Sequence, residues 1–142
     1  MTVTVTAEVG TEIPPIQVHV ESAPMKVFTL ITDDPNPIHW DPDTVRAAGL
    51  GDRVINQGGL NVGYVLNAVT AWTGSRASII GTKVRFLGNA FAGDDLVAGG
   101  VVASIDHSTT PSTATLNVWL RNEDGADLLA GTVTVRLPDS GK

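Results

Sequence analysis

The chain has 142 residues, of which 42% are hydrophobic and 17% are charged, and it carries a formal net charge of −6. This composition supports one packed domain over residues 1–142 and excludes a chain that is disordered throughout. The acidic balance argues against nucleic-acid and anionic-membrane partners, and the absence of cysteine excludes disulfides, thiolate zinc sites and cysteine nucleophiles.

The N-terminal segment has neither the basic start nor the apolar stretch of a signal peptide. No apolar run reaches the roughly 18 residues that a membrane helix needs. We therefore expect a cytoplasmic protein. Alternation of apolar residues predicts two short strands within the first twenty residues, one at Val3 and Val5 and one at Val18 and Val20.

A first helix is predicted from Ser22 to near Asp33. Serine is a common helix cap, and Pro24 falls in the first turn, where proline is tolerated. The apolar face of this helix is expected to consist of Val27, Phe28, Leu30 and Ile31.

Two further helices are predicted in the first half of the chain. Residues 34–43 contain three prolines and should form no regular helix. A short helix is expected from about Pro42 to Ala48. A long helix then opens at Gly58-Gly59 and ends at Thr73-Gly74, and because apolar residues lie on most of its sides we expect it to be buried.

In the second half of the chain, apolar and polar residues alternate. This alternation predicts antiparallel strands with one buried face. Alternation is visible in 80–86, 114–120 and 133–137, and 96–105 is rich in β-branched residues. Together, the predicted helices and strands indicate an α+β domain in which a twisted antiparallel sheet wraps around one central helix. Little else in the chain is left to cover the exposed face of the sheet, so we expect a dimer.

The densest group of reactive side chains lies on the proline-rich loop after the first helix. Asp34, Asn36 and His39 fall within six residues, and the prolines restrict the backbone around them. A carboxylate beside an imidazole can hold a water molecule and move protons in both directions, as hydration or dehydration requires. A structural interpretation fits as well, in which Asp34 terminates the helix and His39 lies in solvent, and the residues alone leave both open.

The start of the long helix is a second candidate site. Backbone N–H groups at a helix start are unpaired and carry the positive end of the helix dipole, and Gly58 would let a thioester carbonyl approach them. The alternative is a tight junction between loop and helix. Neither His19 nor His107 has ligand spacing to His39, so no metal site is expected.

Taken together, these motifs resemble a known family. The segments 34–41 (Asp-Pro-Asn-Pro-Ile-His-Trp-Asp), 47–49 (Ala-Ala-Gly) and 55–60 (Ile-Asn-Gln-Gly-Gly-Leu) resemble the MaoC-like, R-specific enoyl-CoA hydratases and 3-hydroxyacyl-thioester dehydratases. The resemblance implies a hot-dog fold, a dimer and a role in fatty-acid metabolism. It also implies an acyl-CoA or acyl carrier protein (ACP) thioester as the substrate, with no metal or other cofactor.

The resemblance also implies roles for individual residues. Asp34 and His39 match the catalytic pair, and Asn36 matches the asparagine of the motif, which we expect to bind substrate. The backbone N–H of Gly58 matches the group that polarises the thioester carbonyl. The chain departs from the family at Gln57, where histidine is usual, and at Asp33, where glycine is usual.

Three hypotheses about function follow. The first is a 2-enoyl-thioester hydratase or dehydratase, acting as a homodimer. The second is a non-catalytic or half-active subunit that forms a heterodimer with a related chain, for which the altered residue Gln57 is the motive. The third is a hot-dog thioesterase, which would release a free thiol.

Overall fold

The computed structural model describes residues 7–138, so the strand expected at Val3 and Val5 lies outside the described residues. This part of the chain forms three helices and five strands. The helices are α1 (Ser22–Thr32), α2 (Pro42–Ala47) and α3 (Gly58–Thr73). The strands are β1 (Ile16–His19), β2 (Ile79–Phe86), β3 (Asp95–Asp106), β4 (Thr113–Arg121) and β5 (Asp127–Arg136).

The strands form a single antiparallel sheet in the order β1-β3-β4-β5-β2. Strand β4 shows why alternating apolar residues predicted the strands. Its alternate residues Ala114, Leu116, Val118 and Leu120 are all buried. Helix α3 contacts β1, β2, β3 and β4, so the sheet curves around it. The α+β, hot-dog architecture expected from the sequence is confirmed.

Helix α3 packs against the sheet along one side. Val65, Val69 and Trp72 face the core formed by the concave side of the sheet, and each fully buried side chain of this kind contributes roughly 1.5–3 kcal/mol. The expected burial of this helix is therefore confirmed over most of its surface, and a narrow stripe of Gly59, Asn67 and Ala71 is exposed.

Helix α1 has the predicted bounds but not the predicted cap or orientation. Its N-cap is Glu21 rather than Ser22, and no side chain caps it. The predicted apolar face is also wrong, because Met25 is the buried residue and Phe28, half-buried, lies against Gly59 of α3. The other members of that face point outward: Val27 (56% exposed), Leu30 (83%) and Ile31 (75%).

The expectations for residues 34–49 agree with the structure. The 34–43 segment contains only a 3-10 turn, Pro37–His39, before α2 begins. Helix α2 is followed by Gly49, whose φ of 74° is favourable for glycine. None of the helices within residues 7–138 is long and apolar enough to cross a membrane.

Strands β2 and β5 approach each other closely at Gly131. A Cβ atom there would meet the carbonyl oxygen of Lys83 and would lie 2.7 Å from Cα of Val84. Both atoms belong to the backbone, so Gly131→Ala is expected to push β2 away and to lower the free energy of unfolding by about 1–3 kcal/mol in urea denaturation. The control is Gly81→Ala on β2, where a Cβ atom would only touch Thr134 at 3.9 Å. Equal effects of the two substitutions would contradict this account of the strand pair.

Candidate active site

The fold brings Asp34 and His39 into direct contact. Nε2 of His39 lies 3.2 Å from Oδ2 of Asp34. The His39 side chain is only 8% exposed, whereas that of Asp34 is 39% exposed. The structural interpretation placed His39 in solvent, and its burial contradicts that interpretation. The pair joins a buried imidazole to a carboxylate that water and substrate can reach.

A backbone carbonyl fixes the tautomer of His39. Nδ1 of the ring lies 2.6 Å from the carbonyl oxygen of Ile55. A carbonyl oxygen has no proton to give, so Nδ1 must carry the proton and donate it to this bond. Nε2 is therefore the nitrogen that can take up and release a proton, and it is the nitrogen that faces Asp34. The N–H of Ile55 donates to the carbonyl of Ile38 (3.0 Å), which holds the backbone beside the ring.

Asn36 shapes the loop that carries the pair. Its N–H donates to Oδ1 of Asp34 (3.2 Å), and its side-chain oxygen accepts from the N–H of Ile38 (3.2 Å). The first bond holds the Asp34 carboxylate, and the second starts the Pro37–His39 turn. The contacts of Asn36 are thus made within the loop, and the substrate-binding role implied by the resemblance stays a prediction.

The end of α1 sets the position of Asp34. The carbonyl oxygen of Thr29 accepts from the N–H groups of both Asp33 and Asp34. Asp33 has a φ of 53°, a left-handed conformation that glycine adopts freely and aspartate tolerates better than most residues. This conformation accounts for the glycine that is usual here. Asp33 adopts this conformation in the present chain, and Asp34 beside it contacts His39.

Gly58 is the first residue of α3, and its amide is free. Within residues 7–138, no acceptor faces the N–H of Gly58. The ring of Phe86 lies against this glycine, 3.0 Å from the place that a Cβ atom would occupy. A larger residue would require that ring to shift. As the first residue of a 16-residue helix, Gly58 presents its unpaired N–H at the positive end of the helix dipole.

Gln57 joins the start of α3 to α1. The side chain is buried, and its Nε2 donates to the carbonyl of Met25 (2.8 Å) and to Oγ1 of Thr29 (3.0 Å). Thr29 in turn holds the backbone of Asp34. A hydrogen-bonded path thus runs from the residue before Gly58 to the proposed catalytic carboxylate. Gln57 fills a supporting position in which histidine is usual.

Sequence reasoning missed two residues of the site. Ile55 acts through its backbone carbonyl, and no side-chain pattern signals such a role. Thr29 lies in the middle of a helix, where its partners become visible only in three dimensions. An open groove was also not predicted; it is mostly apolar and is lined by Lys26, Thr29, Leu30 and Trp40.

A second histidine–carboxylate pair lies at the β1 edge of the sheet. Nδ1 of His19 is 2.7 Å from Oδ1 of Asp95, and both side chains are mostly exposed. This hydrogen bond raises the pKa of His19 and lowers the pKa of Asp95. Within residues 7–138, no three histidine, aspartate or glutamate side chains converge as a metal ion would require. The expectation of no metal cofactor stays a prediction.

Comparisons with known proteins identify a family by sequence and similar folds by structure. A model of the MaoC like domain matches residues 4–121. The structure is similar to an (R)-hydratase from A. caviae involved in PHA biosynthesis, with a TM-score of 0.84 and 24% identity over 95% of this chain and 100% of that chain. It is also similar to a chain of the ChsH1-ChsH2 complex from Mycobacterium tuberculosis, with a TM-score of 0.80 and 24% identity over 94% of this chain and 100% of that chain.

A third similar structure is the truncated HadBC (3R-hydroxyacyl-ACP dehydratase) complex from Mycobacterium tuberculosis. Its TM-score is 0.72, with 16% identity over 93% of this chain and 98% of that chain. No curated protein sequence matches the chain. At these identities, the three structures show the fold alone.

The tautomer of His39 can be observed directly. At alkaline pH, where an ordinary imidazole is neutral, a long-range ¹H–¹⁵N correlation spectrum is expected to show the proton on Nδ1, because the Ile55 carbonyl holds it there. A ring that carries its proton on Nε2 would contradict the proposed role of that nitrogen. The signals are assigned by comparison with the His39→Gln chain.

Proposed function

The chain belongs to the family of MaoC-like domains, and within it we propose that this protein is a hydratase or dehydratase of acyl thioesters. The reaction is the reversible addition of water to a 2-enoyl thioester, which gives a 3-hydroxyacyl thioester. One observation carries the proposal: the buried Nε2 of His39 lies 3.2 Å from the accessible carboxylate of Asp34.

In the proposed reaction, a water molecule hydrogen-bonded to Asp34 and His39 attacks C3 of the enoyl group. The water loses one proton to this pair, and the pair returns one proton to C2, so no proton is consumed overall. Nε2 of His39 suits the exchange because the Ile55 carbonyl keeps the other ring nitrogen protonated. Dehydration follows the same path in reverse.

The thioester carbonyl gains negative charge when the new bond forms at C3. We assign the stabilisation of this charge to the N–H of Gly58, which is unpaired among the described residues and lies at the start of α3. Removing one donor of this kind from an enzyme typically costs a factor of about 10²–10³ in turnover. The path through Gln57 and Thr29 would keep this amide and Asp34 in register.

The proposed substrate is an acyl-CoA or acyl-ACP thioester. The net reaction only adds or removes water, so it needs no redox cofactor, and we propose that it proceeds without a metal. We assign the hydrocarbon of the substrate to the mostly apolar groove of Lys26, Thr29, Leu30 and Trp40. A cytoplasmic enzyme of fatty-acid metabolism fits the cysteine-free sequence.

A second candidate is a subunit that works only beside a related chain. Two of the similar structures, ChsH1-ChsH2 and HadBC, are complexes by their descriptions. The intact contact between Asp34 and His39 supports a catalytic rather than a passive role for this chain in such an assembly. A thioesterase has no comparable support from the site.

The test is an activity assay with crotonyl-CoA and longer 2-enoyl-CoAs. The reaction is monitored through the loss of the enoyl-thioester absorbance. We expect Asp34→Asn and His39→Gln each to lower turnover by at least about 100-fold, because each removes one half of the proton-transferring pair. The matched control is His19→Gln, which breaks the exposed pair with Asp95 and should leave turnover unchanged.

Unchanged turnover in the Asp34→Asn chain would contradict the proposal. Release of free thiol, detected with a thiol reagent, would reassign the protein to the thioesterases. A folded wild-type chain without activity on any chain length would favour the subunit that needs a related partner.

A further inference from the structure

One half of the sheet carries little negative charge. The adjacent strands β4, β5 and β2 contain a single carboxylate, Asp127, although the whole chain has 15 acidic residues. Asp127 is already paired with Arg121, at 2.7 Å. On β2, Lys83 and Arg85 form no ion pair with any residue of the described range 7–138. Two uncompensated cations therefore lie on the surface of an acidic protein.

These two cations point to the same side of the sheet. Successive side chains of a strand alternate between its two faces, and Val84, which lies between the cations, packs against the core. Lys83 and Arg85 therefore lie on the opposite, convex face, where both are exposed. Residues two positions apart in a strand are about 7 Å apart, so both side chains can reach the same anion.

A shallow groove of about 230 Å³ lies beside the two cations, between β2 and β5. Its lining includes Thr132, which pairs with Lys83 in the sheet, and Ala130, which pairs with Arg85. The small side chain of Ala130 leaves room next to the guanidinium group, and the hydroxyl of Thr132 can donate a hydrogen bond. Two cations and a hydroxyl around a groove form a donor set that suits a phosphate ester.

The end of β2 connects this groove to the active site. Phe86 is the last residue of the strand, and its ring lies against Gly58, whose amide we assign to the thioester carbonyl. Arg85 directly precedes Phe86, and Lys83 lies about 10 Å from it along the strand. Phe86 and Leu87 expose apolar surface at this end of β2. A carrier arm that leaves the thioester can therefore pass the end of the strand and bring its anionic groups to the two cations.

We propose that Lys83, Arg85 and Thr132 bind phosphate groups of coenzyme A, so that the substrate is an acyl-CoA rather than an acyl-ACP. The inference rests on the proposed function, because it concerns the carrier of the acyl thioester. Coenzyme A ends in a diphosphate and a ribose 3′-phosphate, which together match a groove with more than one cation. The groove has room for a phosphorylated ribose but is too small for an element of a carrier protein.

Three substrates separate the contribution of the phosphates from that of the reacting group. They are crotonyl-CoA, crotonyl-dephospho-CoA, which lacks the 3′-phosphate, and crotonyl-pantetheine, which has no phosphate. For the Lys83→Gln/Arg85→Gln chain we expect kcat/KM on crotonyl-CoA to fall by about 5- to 10-fold, because two surface ion pairs with phosphate are lost. The loss should lie in KM with kcat unchanged, since these contacts are the same before and during the reaction. On crotonyl-pantetheine the variant should equal wild type.

The matched control is the Arg46→Gln/Arg121→Gln chain. It has the same change in net charge, but Arg46 and Arg121 already have carboxylate partners, Asp43 and Asp127. This chain should resemble wild type on all three thioesters. Circular dichroism checks that each variant is folded.

Binding of coenzyme A itself, measured by titration calorimetry, tests the site without any turnover. We expect the Kd for coenzyme A to rise by about 5- to 10-fold in the Lys83→Gln/Arg85→Gln chain and to stay unchanged in the control. Added salt should weaken binding to wild type more than binding to the variant, because salt screens the exposed cations.

The outcomes distinguish the phosphate site from the proposed reaction. Equal losses on crotonyl-CoA and crotonyl-pantetheine would overturn the phosphate site, as would unchanged binding of coenzyme A by the Lys83→Gln/Arg85→Gln chain. A loss seen only with a crotonyl-ACP substrate would assign the cations to an acidic carrier protein and would overturn it too. A wild-type chain that binds coenzyme A as expected but converts none of the thioesters would support the phosphate site and count against the proposed reaction.

Discussion

The hydrogen bond from His39 to the carbonyl of Ile55 is the contact on which the rest of the site depends. It lets the imidazole lie buried without an unsatisfied N–H group, an arrangement that would otherwise cost about 1–3 kcal/mol. It also decides which nitrogen remains for proton transfer. Because Nδ1 is committed to the carbonyl, only Nε2 is free to act with Asp34. The chemistry proposed for the loop thus follows from one backbone atom on another segment.

The segment from Ile55 to Gly58 serves all three groups of the site. Ile55 orients His39, Gln57 reaches through Thr29 to the backbone of Asp34, and Gly58 presents its amide. This segment is itself fixed to the sheet side of the molecule, since it forms a bridge with Phe91. The hot-dog fold therefore matters to the proposed function in a direct way: it brings a short, anchored segment beside a proline-rich loop that would otherwise have no defined partner.

The sequence predicts the elements of this fold well and their surroundings less well. The alternation in β4 and the glycines around α2 and α3 act locally, so the bounds of those elements follow from neighbouring residues. The orientation of α1 does not follow from neighbouring residues. An apolar stripe such as Leu30 and Ile31 does not show whether the stripe packs on the chain's own core or on another surface. The motif likewise indicates Asp34 and His39 but carries no information about the Ile55 carbonyl.

The central claim is that Asp34 and His39 direct water to C3 of an intact thioester. The most direct measurement is mass spectrometry of the products formed from crotonyl-CoA in water enriched in heavy oxygen. The account predicts one heavy oxygen in the 3-hydroxyl group of a product that is still a thioester, and its loss when that product is dehydrated. Heavy oxygen in the carboxylate of a free acid would contradict the account.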